Sequence, residues 1–176
     1  MADLERLAEL IKQKNMVDGE IARIIGRPAE RGHTGEYIAA HIFNIALEPS
    51  ASQKGIDGHF TSGKLAQKSV NIKWYGKMEG LLDISPVSLP DYYLVMTGSK
   101  VAAASSKGTV RPWIISYVHL FDAASLVSEL KRPGVKIGIA TSVCSYLWEA
   151  AEIYPAQHNK ELLLSDEQKR LLALFG

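Results

Sequence analysis

At 176 residues, with 47% hydrophobic and 22% charged residues, the chain has the composition of one ordinary folded domain and not of a disordered one. Its 20 Lys and Arg against 19 Asp and Glu leave a net charge of +1. That balance excludes a surface that coats nucleic acid all over and confines any such contact to a local patch. The single cysteine, Cys144, excludes an intramolecular disulfide and a multi-cysteine zinc site; in the apolar run VCSYLW it is expected to be buried and inert.

The start, MADLERLAEL, is acidic and amphipathic, without the basic opening and apolar run of a signal peptide. No apolar stretch reaches the ~20 residues that span a bilayer. The expectation is a cytoplasmic protein with no membrane partner. Leu4, Leu7, Ala8 and Ile11 predict a helix over residues 3–14. Asn15 and Asp18 punctuate it, and Asp18 is placed to cap a second short helix, GEIARIIG, which Gly26 and Pro28 end. Thr34 opens a third, TGEYIAAHIFNIAL, with Ile38, Ile42, Ile45 and Ala46 on its buried side and Pro49 as its stop.

From there the pattern is that of strands. GIDGHF, with glycines on both sides of Asp57, reads as a strand or bend whose backbone needs room. SVNIKWY is a strand: Val70, Ile72 and Trp74 share one face, and Asn71, Lys73 and Tyr75 share the other, looking into a cleft. GKMEG is a turn and LLDI its partner strand. DYYLVMT suits a central strand buried on both faces. GSKVAAASSKGTV reads as a loop, WIISYVHLF as a strand, Asp122 as the cap of the helix AASLVSELK, and KIGIATSV as a further strand. Ser165 and Gln168 form a capping box before EQKRLLALF. The class is α/β, a mixed central sheet flanked by helices, in one domain over 1–176. Within it, 1–33 is a helical extension, 34–97 the core with the candidate site, and 98–176 the remaining strands and helices.

Two stretches carry positive charge towards a nucleic-acid partner. Arg23, Arg27 and Arg31 lie in a segment with the outline of a helix-turn-helix, although the helix that follows is too apolar to read a groove. Lys54, Lys64, Lys68, Lys73 and Lys77 are interleaved with Trp74 and Tyr75, a pattern suited to phosphate contacts. The five histidines have no metal-ligand spacing, and His59 is an accessory acid or base only by its closeness to Asp57. No P-loop, dinucleotide glycine fingerprint or nucleophile elbow is present, so no organic cofactor is expected.

Glu36 in the helix GEYIAA, Asp57 in GIDG, and Asn71 with Lys73 in NIK resemble, in that order, the PD-(D/E)xK or restriction-endonuclease-like nuclease superfamily. The resemblance covers roughly residues 34–97. It implies a restriction-endonuclease-like core and metal-dependent hydrolysis of DNA phosphodiester bonds in restriction or repair. It also implies Mg²⁺ or Mn²⁺ held by Glu36, Asp57 and Asn71 with a backbone carbonyl near Ile72, Lys73 acting on the attacking water or the transition state, and a homodimer. Asn71 stands where the superfamily carries Glu, Asp or Gln, and Ile56 where it carries Pro before the aspartate. Two other readings stay open: a non-catalytic DNA-binding module on the same fold, and an interaction protein with no nucleic-acid partner.

Overall fold

The structure is a computed structural model that describes residues 2–49, 55–101 and 110–176. Most of the expected loop GSKVAAASSKGTV, and Lys54, lie outside the described residues. The chain begins with α1 (Ala2–Ile25) and α2 (Arg31–Phe43). Strands β1 (Ile45–Leu47), β2 (Gly58–Phe60), β3 (Ser69–Tyr75), β4 (Leu81–Leu82), β5 (Tyr92–Thr97) and β6 (Tyr117–Asp122) follow. The chain then passes through α3 (Ala123–Lys131), β7 (Thr141–Ser142), α4 (Ser145–Ala151), β8 (Glu152–Tyr154) and α5 (Asp166–Ala173).

Six strands form one mixed sheet in the order β1-β2-β3-β5-β6-β8, and β4 pairs with β7 in a separate two-stranded ribbon. Among the described residues, only β3 and β5 run parallel within the large sheet. The alternation of β3 and β5 divides the interior into two cores. Val70, Ile72, Trp74, Leu94 and Met96 pack on one face with Ile38, Ala39 and Ile42 of α2 and Leu172 of α5. Tyr93, Val95 and Phe121 pack on the other with Leu126 and Leu130 of α3 and Trp148 of α4. The protein is therefore mixed α/β with helices on both faces. Every residue of β5 is buried, as a continuous apolar run in a central strand requires.

Several elements differ from the expectation for physical reasons. α1 is a single helix through Asn15 and Asp18, because Asp18 points along the helix to pair with Lys14 one turn earlier instead of capping a new start. α2 ends at Asn44, which adopts the left-handed conformation at φ 54° with its N–H on the Ala40 carbonyl. Ile45 to Leu47 are thereby released to form a strand. Leu81 and Leu82 pair with Thr141 and Ser142 rather than with SVNIKWY, whose open neighbour position is taken by the more apolar β5. Of the expected strand KIGIATSV only Thr141 and Ser142 pair. The first half of WIISYVHLF is diverted as well: the Ile114 carbonyl accepts from Trp74 Nε1 and the Ile115 N–H donates to the Phe175 carbonyl. Cys144 is exposed, not buried, because it precedes α4 as its N-terminal cap position. The Asp122 cap and the Ser165/Gln168 capping box form as the sequence suggests.

The glycines flanking Asp57 have separate causes. Gly55 has φ +88°, open to glycine at little cost. Gly58 sits against β1 so closely that an added Cβ would lie 2.4 Å from the Ala46 carbonyl oxygen. The nearest atom is backbone and cannot swing aside, and the Ile45 Cγ2 methyl is 2.8 Å away. Gly58→Ala is therefore expected to destabilise the fold by about 2 kcal/mol or more, read as a lower midpoint in thermal or urea melts.

Candidate active site

The pairing of β2 with β3 is short: Gly58 faces Val70, His59 faces Ser69, and the strands then part. At the parting point the Asp57 N–H still donates to the Val70 carbonyl, and the Glu48 N–H donates to the Asp57 carbonyl. The next inward donor of β3, the Ile72 N–H, meets a side chain and not a strand: Asp57 Oδ2 accepts it at 2.6 Å. The carboxylate thus replaces one rung of the ladder, and leaving that buried N–H unmet would cost about 1–3 kcal/mol.

Three charged groups act on this carboxylate. Glu36 comes from α2, held against the sheet by Gly35, whose missing side chain lets the helix lie on Trp74 (an added Cβ would be 3.0 Å from Trp74 Cβ). Lys73 comes from β3, and Arg27 from the segment between α1 and α2. Burial raises the Asp57 pKa above its ordinary value; the Ile72 N–H opposes the rise, Glu36 adds to it, and Lys73 and Arg27 oppose it. Glu36 is ion-paired with Arg27. Arg27, Glu36, Leu47, Glu48, Pro49, Ile56 and Asp57 line a cleft of about 400 Å³. Glu48 Oε1 lies 3.0 Å from His59 Nδ1.

Asn71 does not look into an open cleft as the alternation alone suggests. It is buried at 5% exposure, and its Oδ1 has no hydrogen-bond partner among the described residues. Tyr75 is packed against the second core, its hydroxyl accepting the Asp83 N–H at 3.1 Å. Burial pushes the ionisation of that phenol upward. Lys73 lines a second cavity, of about 320 Å³, with Asp83, Ile84, Ser85, Pro86, Gly138 and Ile139, none of which lines the Asp57 cleft.

The other basic candidates are dispersed. Arg23 is on exposed α1, paired with Glu20. Arg31 starts α2, donates to the Arg111 carbonyl and lies over the Trp113 ring. Lys68 pairs with Asp91 at 3.1 Å, and Lys64 with Glu161 at 2.8 Å. Lys77 is half-buried in the turn after β3. Glu79 accepts from Arg111 through both oxygens.

Sequence reasoning missed two participants. Glu48 was hidden because the helix reading ran through Leu47, whereas the left-handed Asn44 turns that segment into a strand ending at the cleft. The Arg27–Glu36 pair spans nine residues between two elements, and no periodicity announces it.

Among the described residues, no three His, Cys, Asp or Glu side chains are grouped to hold a metal ion. A divalent cation at Asp57 would therefore draw on two carboxylates, Asp57 and Glu36. The donor types fit a hard cation, which prefers oxygen. The mutual repulsion of Asp57 and Glu36 is the feature such an ion would relieve. No protein-family model and no curated protein matches this chain. Among the described residues, no helix is long and apolar enough to cross a membrane.

The raised Asp57 pKa has a definite sign in stability. The folded state holds this proton more tightly than the unfolded chain, whose value is near 3.8. The resulting stabilisation is present at acid pH and is lost as pH rises through the raised value, so the ionised carboxylate is a cost at neutrality. Asp57→Asn keeps an oxygen for the Ile72 N–H and removes that cost. It is expected to melt at a higher temperature than the wild type at pH 7 in EDTA, with the difference vanishing below about pH 4. Circular-dichroism melts at the two pH values check this.

Proposed function

We propose that the protein is a metal-dependent endodeoxyribonuclease of the restriction-endonuclease-like kind, hydrolysing DNA phosphodiester bonds. The observation that carries this reading is the part-buried carboxylate of Asp57, fixed by the Ile72 N–H where β2 and β3 separate and sharing a cleft with Glu36 and Arg27. A helix glutamate, a strand-edge aspartate and a lysine on the neighbouring strand are the set that the resemblance calls for.

Asp57 and Glu36 would hold Mg²⁺ or Mn²⁺, with the Asn71 amide and the Ile72 carbonyl as neutral donors. Such an ion, when bound, lowers the pKa of its water and offsets charge on the phosphate. The remaining work falls to the chain. The Ile72 N–H fixes the Asp57 carboxylate in one orientation. Lys73 presents its ammonium to the nucleophile or to a non-bridging phosphate oxygen, where charge develops in the transition state. Arg27 neutralises Glu36 in the resting site, and its guanidinium would be available to a phosphate if that carboxylate held a cation.

The second reading, a DNA-binding module without catalysis, is favoured by the same Arg27–Glu36 pair, which already satisfies one carboxylate, and by the neutral side chain at position 71. One experiment separates them. Supercoiled and branched DNA are incubated with the protein in Mg²⁺, Mn²⁺ or EDTA, beside Lys73→Ala. The nuclease reading expects cutting that EDTA abolishes and that Lys73→Ala reduces about 10²–10³-fold. Salt-sensitive binding without cutting in either metal supports the module, and neither binding nor cutting removes DNA as the partner.

A further inference from the structure

Trp113 is pinned at the surface beside an arginine that has no counter-charge. Of the three tryptophans, Trp74 and Trp148 are buried, whereas Trp113 is 39% exposed. The segment that carries it is tied down on both sides. Trp74 Nε1 donates to the Ile114 carbonyl at 2.9 Å, the Ile115 N–H donates to the Phe175 carbonyl at 2.8 Å, and Arg31 donates to the Arg111 carbonyl. Gly76 packs against the same segment so closely that an added Cβ would lie 2.9 Å from Arg111 Cβ. The indole centre is 5.7 Å from that of Trp74, and the Arg31 guanidinium carbon is 6.0 Å from the Trp113 ring. Arg23, Arg27 and Arg111 are each paired with a glutamate, but among the described residues Arg31 has no carboxylate partner. Its Nε is buried without a hydrogen-bond partner, and burial and the neighbouring Arg111 both lower its pKa. A half-buried cation without a counter-charge is a cost that a bound anion removes.

We propose that Trp113 and Arg31 form a stacking platform for one nucleotide of single-stranded DNA, the base lying on the indole and its phosphate on the guanidinium. An exposed aromatic ring beside an unpaired arginine matches a ligand that joins a planar ring to an anion. Because the indole is already fixed, little side-chain freedom is lost on binding. The strand must be single: in a duplex both faces of a base are covered by its neighbours, and only an unstacked base offers a face to an indole. A protein partner is the poorer match, since it would need a contiguous apolar patch of several hundred Å², and the neighbours of this ring include Arg31 and Arg111. The position suits a strand at the Asp57 cleft. Trp74, which touches Trp113, stands two residues along β3 from Ile72, the donor to Asp57, an offset on the order of 7 Å. This inference names the form of the DNA for the reading proposed above; it rests on that reading for the partner and not for the cleavage.

The test is binding in EDTA at low salt, where nothing is cut. A labelled oligothymidylate of about twelve nucleotides and a duplex of the same length are titrated with the full chain, read by anisotropy and by tryptophan emission. The oligothymidylate is expected to bind and to quench the emission. Trp113→Ala is expected to weaken that binding about 5- to 100-fold and to abolish the quench, with its affinity for the duplex unchanged. Trp113→Phe, which keeps an aromatic face, is expected to retain most of the affinity, and circular-dichroism melts confirm that both variants fold. A wild type that does not bind the oligothymidylate overturns the proposal. So does binding indifferent to Trp113→Ala, which would leave the ring to a protein partner, or an equal loss on duplex. Metal-dependent cutting without this binding sinks the platform alone, and the binding without cutting in any metal sinks the nuclease reading alone.

Discussion

The geometry of the candidate site depends on one hydrogen bond, from the Ile72 N–H to the Asp57 carboxylate. It stands where the β2–β3 ladder stops, and it makes the ladder's end and the site's centre the same place. A carboxylate that must serve the backbone cannot turn away to water. It stays part-buried, close enough to Glu36 for the two charges to oppose each other. The fold accepts an electrostatic cost there that an amide would avoid. Charge held against its own preference is a common property of functional sites, although structural ion-pair networks also produce it.

The rest of the architecture maintains that arrangement. Gly58 lets β1 lie against β2 so that Glu48 and Asp57 share the cleft, and Gly35 lets α2 lie on Trp74 so that Glu36 reaches it. β5 holds β3 from the other side through a parallel ladder running from Val70–Tyr92 to Tyr75–Thr97. Both faces of this central pair are covered, by α2 and α5 on one side and α3 and α4 on the other. β3 is thereby fixed in register, and Lys73 in position. Among the buried polar groups is His119, whose pKa burial lowers to about 3, so that it stays neutral in the core.

Much of this was legible in the sequence, and the reasons for success and failure are local. DYYLVMT announces a doubly covered strand because it has no polar alternation, and Asp122 and Ser165 announce helix starts because their side chains accept a backbone N–H in place. The strand SVNIKWY and its inward set Val70, Ile72 and Trp74 follow from period-two patterning. Three elements were illegible because tertiary pairing decided them: Ile45–Leu47 as a strand, β4 with β7, and the short α4–β8 unit. In the site, Glu36, Asp57 and Lys73 are legible as residue types at a spacing. The burial of Asn71 is not, since alternation tells which face a side chain takes but not whether that face is open.

The central claim is that Asp57 is held at a raised pKa beside Glu36 in a site suited to a divalent cation. It is tested most directly by the ¹³C carboxyl titration of Asp57, identified by its absence in Asp57→Asn and recorded in EDTA and again in Mg²⁺. The account predicts a midpoint above the ordinary aspartate range in EDTA that falls markedly when Mg²⁺ is added. An ordinary midpoint in EDTA, or a raised one that Mg²⁺ leaves unmoved, would contradict it.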